Sequence, residues 1–265
     1  MSNKLGFIGC GEMAGAIIKG ILKSGMFASS DINASVRTGK SASTKSKHLK
    51  IKVLADNDYV SKNSEVLFIA TKPNQVDEVL NEIGNNADNK LVISIASGIS
   101  TMHIEEKLQK SRVIRVMPNT PSMIGEGISG ICRGKLATDE DEKFVVELFT
   151  SVGHVIIVDE ERMDVVTALS GSGPAFFYQI FDDMAKSGEK LGLDYEKSLK
   201  LVLQTAIGAA KLANMSEVPL SELIQSVSTP GGCTEVGIKE MHNLKSIDLF
   251  SNVIEKTALK THSHG

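Results

Sequence analysis

Tryptophan is absent from the chain, tyrosine occurs three times, and aromatic residues make up 5% of the 265. No dense Lys/Arg stripe with interleaved aromatics is present, and no nucleic-acid partner is expected. A formal charge of −3 adds no basic field to attract a polyanion. Cysteine is equally scarce: Cys10, Cys132 and Cys233 are odd in number, far apart and free of CxxC spacing. Neither a disulfide framework nor a structural zinc site follows from such a set, and a reducing, cytoplasmic setting is expected. No apolar run approaches the roughly 20 residues of a membrane helix. The opening residues MSNKLGFIGCGEM lack the charged and apolar regions of a secretory signal. Two histidines in the tail THSHG read as a chain end, so no metal site is expected.

What is present is an ordinary apolar content of 42% distributed in two different ways. Up to about residue 160, short apolar runs such as KLGFIG, INASV, IKVL, EVLFIA, KLVISIA and RVIRVM alternate with helix-like stretches. Strands apolar on both faces belong in a parallel sheet covered by helices on both sides. GISGICRG and HVIIVD, flanking a helix near 138–151, extend that sheet. From residue 162 the strand signals stop, and Ala, Leu and Lys recur at helical spacing. The reading is an α/β chain with an N-terminal Rossmann-type doubly wound domain, 1–161, and an all-helical domain, 162–265.

The first strand breaks at IGCGEMAGAI into a helix. In a βα turn that carries a dinucleotide, one glycine permits the turn, a second admits the pyrophosphate, and a small third residue lets helix and strand pack. Gly9, Gly11 and Ala14 stand in those places. An NAD site usually ends its second strand on an acid, whereas here Arg37, Thr38 and Lys40 follow INASV, which points to the 2′-phosphate of NADPH, with NADH still possible. LFIATKP and VISIASG end two more strands on the same sheet edge, where doubly wound sheets bind ligands. RVMPNTP follows the next strand, and PAFFYQIF groups aromatics at helical spacing, as a helical core or a subunit interface would.

In order and interval, IGCGEMAGAI, IATKP, VMPNTP, ALSGSGPAF and STPGGCTEVG closely resemble the pyrroline-5-carboxylate reductase family, NAD(P)H-dependent enzymes of the last step of proline synthesis. The resemblance covers nearly the whole chain, and its last two motifs are the specific ones. It implies interlocked helical domains that form a homodimer or a larger homo-oligomer such as a decamer. It implies that Ile8, Gly9, Cys10, Gly11, Glu12 and Met13 hold the pyrophosphate, and that Arg37, Thr38 and Asn57 hold the 2′-phosphoribose. Ala70, Thr71, Lys72 and Pro73, with Ile95, Ala96 and Ser97, lie further along the cofactor. Ser172, Ser226, Gly231, Gly232, Cys233 and Thr234 fall to the substrate, with Thr234 the catalytic candidate. Glu12 places a carboxylate beside the expected pyrophosphate, and Cys233 stands where the family usually has Thr or Ala.

Reducing a cyclic imine needs hydride on carbon and a proton on nitrogen, hence orientation and a dry cleft more than a strong acid. The sequence has no Ser-His-acid set, no HExxH and no paired-carboxylate signature. SGSGPA and STPGGCT are expected at helix starts, where backbone N–H groups of the latter would receive the substrate carboxylate. Two other readings compete. One is a small-molecule reductase on the β-hydroxyacid dehydrogenase plan, for which no equivalent lysine motif is present. The other is a non-catalytic dinucleotide-sensing protein, which has no need of the two substrate turns.

Overall fold

A computed structural model describes residues 4–262; the tail histidine His264 lies outside them. Eight strands form one sheet: β1 (Leu5–Ile8), β2 (Ile32–Ser35), β3 (Lys52–Leu54), β4 (Val66–Ile69), β5 (Leu91–Ser94), β6 (Arg112–Met117), β7 (Gly127–Arg133) and β8 (Gly153–Ile157). Their order is β3-β2-β1-β4-β5-β6-β7-β8. All neighbours are parallel except β6 and β7, which run antiparallel. β7 and β8 therefore run opposite to the other six strands. Only residues 118–126 join β6 to β7, too short a link for the crossover that a parallel return requires.

Helices cover both faces: α1 (Glu12–Ser24), α2 (Gly39–Leu49) and α6 (Asp139–Thr150) on one, α3 (Asn57–Lys62), α4 (Val76–Ile83) and α5 (Thr101–Lys107) on the other. The two-residue period of the strands sorts their side chains between two cores. Phe7, Phe68 and Ile93 meet Ile17, Ile21 and Phe149 on the first face. Ile8, Leu67, Ile69 and Val92 meet Val60, Leu80 and Ile104 on the second. Phe7 and Phe68 stack across the β1–β4 pair with ring centroids 4.1 Å apart. The sheet is therefore doubly wound.

The rest of the chain is helical: α7 (Met163–Val166), then a wide turn over Thr167–Gly171, α8 (Gly173–Lys190), α9 (Tyr195–Met215), α10 (Leu220–Val227), α11 (Cys233–Asn243) and α12 (Ser246–His262). By compactness the chain divides into one unit that runs to Pro174 and includes the segment from Glu255 on, and a second, Ala175–Ile254. Met163 and Ala168, in the first of these units, are both fully buried.

A buried polar cluster ties α7 to the sheet. Arg115 on β6 is 4% exposed and pairs with Glu160, just before α7, with Asp164 3.8 Å from its other end. Glu160 Oε2 also accepts from the Thr101 N–H (3.0 Å), the Thr101 hydroxyl (2.7 Å) and the Cys132 thiol (3.3 Å). Burial pushes the Glu160 carboxyl up, but the Thr101 donors and the Arg115 guanidinium outweigh it and hold it below its ordinary value of 4.5. A carboxyl depressed by folding stabilises the folded state above its unfolded pKa, and this contribution fades as pH falls through the folded value. Glu160→Gln should thus lower stability at neutral pH by roughly 2–4 kcal/mol, since Arg115 stays buried without its main counter-charge. In thermal melts the gap to wild type should narrow below about pH 4. A gap of unchanged size near pH 3 would show that the Glu160 charge is not its source.

Candidate active site

The β1–α1 turn begins with Gly9 at φ +93°, a left-handed conformation that side chains avoid. A Cβ there would stand 2.7 Å from the Ala70 carbonyl oxygen, so the turns after β1 and β4 touch only because Gly9 lacks one. At Gly11 a Cβ would meet nothing within 4 Å, leaving open space on the outer side of the turn. These two glycines form one wall of a cleft of about 520 Å³ at the C-terminal ends of the strands.

Of the residues assigned to the cofactor, Gly9, Cys10, Gly11, Arg37, Asn57, Ala70, Thr71 and Lys72 line this cleft. Others stand apart from its surface. Ile8 is fully buried in the second core, Met13 packs on the first, and Ala96 is buried in the second. Thr38 caps α2, Pro73 opens a short turn before α4, and Ile95 packs against the first core. Ser97 follows β5 and Glu12 turns away toward α2; neither lines the cleft. Sequence reasoning missed Ser41 and Lys45 on α2, Asp56 before α3, and Glu78 and Glu82 on α4. The signal was present in part, because Ser41 and Lys45, like Glu78 and Glu82, are four residues apart and share a helix face.

A polar chain crosses the cleft. The Gly9 N–H donates to Ser35 Oγ (3.4 Å), the Ser35 hydroxyl donates to Asn57 Oδ1 (2.6 Å), and the Asn57 amide donates to Glu82 (2.7 Å). Glu12, whose carboxylate raised the question of repulsion, takes Lys45 Nζ at 2.8 Å, and this ammonium holds the Glu12 carboxyl below its usual range. Burial pushes the Cys10 thiol up, which leaves it a packing group. Thr71 Oγ1 is buried with no hydrogen-bond partner.

The helix starts differ in their caps. α2, α3, α5, α6 and α9 start on Thr38, Asp56, Ser100, Thr138 and Asp194, each accepting a backbone N–H in its own first turn. α4, α7 and α10 lack a side-chain cap, and so do α1 and α11, which alone among the helices with a described cap start on glycine, Gly11 and Gly232, and leave their first N–H groups free for an anion. The family resemblance implies a dinucleotide, and the residues fit one: a glycine turn open at Gly11, uncapped donors on α1, and an unpartnered Thr71 hydroxyl in the same cleft.

In the second unit, Gly231 takes φ +74° and Gly232, Cys233 and Thr234 lead into α11. The N–H groups of Gly231 and Gly232 themselves have partners within the chain. Gly231 donates to Glu235 Oε2 at 2.7 Å and Gly232 to the Thr229 carbonyl at 2.9 Å. The helix donors that remain belong to Cys233, Thr234 and Glu235. Lys239, 2.9 Å from Glu235, shares its charge and with the Gly231 N–H holds its carboxyl below the usual range. The Ser226 hydroxyl on α10 donates to the Leu223 carbonyl at 2.7 Å. Ser172, in the first unit, stands between the wide turn and the start of α8 at Gly173, as SGSGPA was expected to mark a helix start, and its N–H donates to the Thr167 carbonyl at 2.8 Å.

A family profile described as pyrroline-5-carboxylate reductase dimerisation matches residues 160–263. A second, described as NADP oxidoreductase coenzyme F420-dependent, matches 4–98. Pyrroline-5-carboxylate reductase of Methanosarcina acetivorans is 36% identical over 100% of this chain and 98% of its own. That of Pisum sativum is 37% identical over 91% of this chain and 88% of its own. Among solved structures, the Coxiella burnetii pyrroline-5-carboxylate reductase superposes with a TM-score of 0.93 at 31% identity, covering 100% of this chain and 99% of that one. The Plasmodium falciparum pyrroline carboxylate reductase with NADP bound gives 0.90 at 30% identity, covering 99% and 98%. A 3-hydroxyisobutyrate dehydrogenase from Mycobacterium tuberculosis reaches only 0.55 at 12% identity over 77% of this chain and 71% of its own, which is likeness of fold alone. Because the likeness to these reductases takes in the glycine turn and the start of α11 alike, this chain belongs to the pyrroline-5-carboxylate reductase family.

Proposed function

We propose that the chain reduces Δ1-pyrroline-5-carboxylate to L-proline, the last step of proline biosynthesis, with NADPH preferred over NADH, and that it works in the cytoplasm. The observation that carries this reading is the pair of glycine-capped helices. Each keeps its first donors for an anion from outside the helix, the pyrophosphate at α1 and the substrate carboxylate at α11. When bound, the cofactor supplies the hydride. The α11 donors of Cys233, Thr234 and Glu235 hold the carboxylate, and the Thr234 hydroxyl meets the ring nitrogen. Ser172 and Ser226 add hydroxyls to the substrate set, with Gly231 and Gly232 shaping the turn. Around the cofactor, Ile8–Met13, Arg37, Thr38, Asn57, 70–73 and 95–97 keep the roles that the family resemblance implies. NADPH is preferred because Arg37 lines the cleft just beyond β2, where an NAD site would present an acid.

The working form is a homodimer or a larger homo-oligomer such as a decamer, its dimerisation domain starting near residue 162. Between residues 175 and 254 only Ala185 and Ser198 are buried. Leu191 (90% exposed), Met215 (83%) and Ile247 (72%) show how much apolar surface the helices leave for a second copy. The aromatics of PAFFYQIF follow suit, with Phe177 and Tyr178 exposed.

Three measurements test this reading. Thr234→Ala should lower kcat/KM for pyrroline-5-carboxylate by about 10- to 1000-fold, the range of one hydrogen bond that matters mainly in the transition state, with the melting temperature unchanged. Full activity in that variant would reduce Thr234 to a turn residue. Light scattering at low micromolar concentration should show a dimer or larger species and no monomer. Thr71→Val should raise the stability of the ligand-free protein by about 1 kcal/mol, since an unsatisfied buried hydroxyl disappears, yet weaken NADP+ in a fluorescence titration about tenfold. Tighter or equal binding would leave the Thr71 hydroxyl without a role at the cofactor.

A further inference from the structure

Lys45 and Glu12 form an ion pair that the proposed reaction does not use. Lys45 stands on α2, on the same face as Ser41 one turn earlier, and both line the cleft beside Arg37. Ser41 is held in place by Thr38, whose hydroxyl donates to Ser41 Oγ (3.0 Å) and accepts from the Ser41 N–H (3.3 Å). A side chain on a helix leans toward its N-terminus, so the Lys45 stem runs back toward Ser41 and the β2 end. Its ammonium instead meets Glu12 at 2.8 Å, and the two ends of that pair differ. The Lys45 side chain is 26% exposed, whereas that of Glu12 is 79% exposed. A pair with one partner this open to water is weak and exchanges readily. A phosphate dianion brings twice the charge of a carboxylate and three acceptor oxygens to the same ammonium.

We propose that Lys45 is a selectivity residue for the adenosine 2′-phosphate of the cofactor and that Glu12 is its internal competitor. On binding, Lys45 leaves Glu12 and joins Arg37 and Ser41 on the 2′-phosphate, and Glu12 is left to water. The inference rests on the reading above that the cleft holds NADP(H). It assigns to α2 a share of the selectivity that the strand end alone was expected to provide. In the ligand-free protein Glu12 is neutralised by Lys45.

The test is equilibrium binding, read as the ratio of the NAD+ to the NADP+ dissociation constants by fluorescence titration without substrate. Lys45→Gln should lower that ratio at least tenfold by weakening NADP+ while changing NAD+ less than twofold. Glu12→Gln should raise the ratio severalfold, because the competitor is gone. In the double variant the ratio should match Lys45→Gln. Melting temperatures of the ligand-free variants should stay near wild type, as expected for an exposed pair. An unchanged ratio in Lys45→Gln, even with both dinucleotides weakened equally, overturns the proposal, because the lysine would then serve phosphates in general. So does a double variant that returns to the wild-type ratio, since Lys45 would then act only by cancelling Glu12. Arg37→Gln separates the two levels of inference: if it also leaves the ratio unchanged, or if the wild type binds neither dinucleotide, the cofactor assignment itself fails, not just the role of Lys45.

Discussion

No side chain fits at Gly9. The β1–α1 turn and the β4 turn meet where a Cβ would lie 2.7 Å from the Ala70 carbonyl, and the backbone there sits at φ +93°. Any other residue would push the two turns apart and add strain of the left-handed region. This contact aligns the start of α1, the end of β2 and the Thr71 segment along one cleft. The Gly9 N–H in turn anchors Ser35, and Ser35 anchors Asn57, so the far wall is positioned from the same point. A single missing methyl group thereby determines where three separate loops can face one ligand.

The architecture was legible because two periods dominate it. Strand residues such as Phe68 and Leu67 alternate between cores, and α1 carries Ala14, Ile17, Ile18 and Ile21 on one buried side. The β7 reversal was not legible, because local propensity records a strand and not its direction. Within the site, turn residues at strand ends could be read because glycine and proline signal their own geometry. Lys45, Ser41, Glu78 and Glu82 could be read only as pairs sharing a helix face, since they reach the cleft from helix flanks and look like ordinary solvated residues in the sequence. At the same sheet edge Ala96 is buried in the second core and Ile95 packs against the first. SGSGPA could be read as a helix start, since α8 begins at Gly173, but the wide turn that leads into it could not.

Function and stability separate visibly at the helix starts. Five helices take a side-chain oxygen on the first turn, a contact that contributes about 1 kcal/mol each. α1 and α11 forgo it, and in both the glycine cap stands inside a motif shared with the reductase family. The Glu235 carboxylate complicates the second case, since it secures Gly231 while standing in the first turn of α11. Its pairing with Lys239 lets that turn keep its shape without presenting a full negative charge.

The near absence of a buried interior in 175–254 has a consequence for how the chain matures. In a homo-oligomer, a segment that leaves this much apolar surface exposed in the single chain gains packing on association, so that stage is bimolecular and its equilibrium depends on concentration. The sheet half carries its two cores within a single chain and is free of that dependence. Nascent chains therefore pass through a state in which the nucleotide half is formed and the helical half awaits an encounter, with its apolar faces open to chaperones or to aggregation. Abundance in the cell then acts on this protein as a stabilising ligand would.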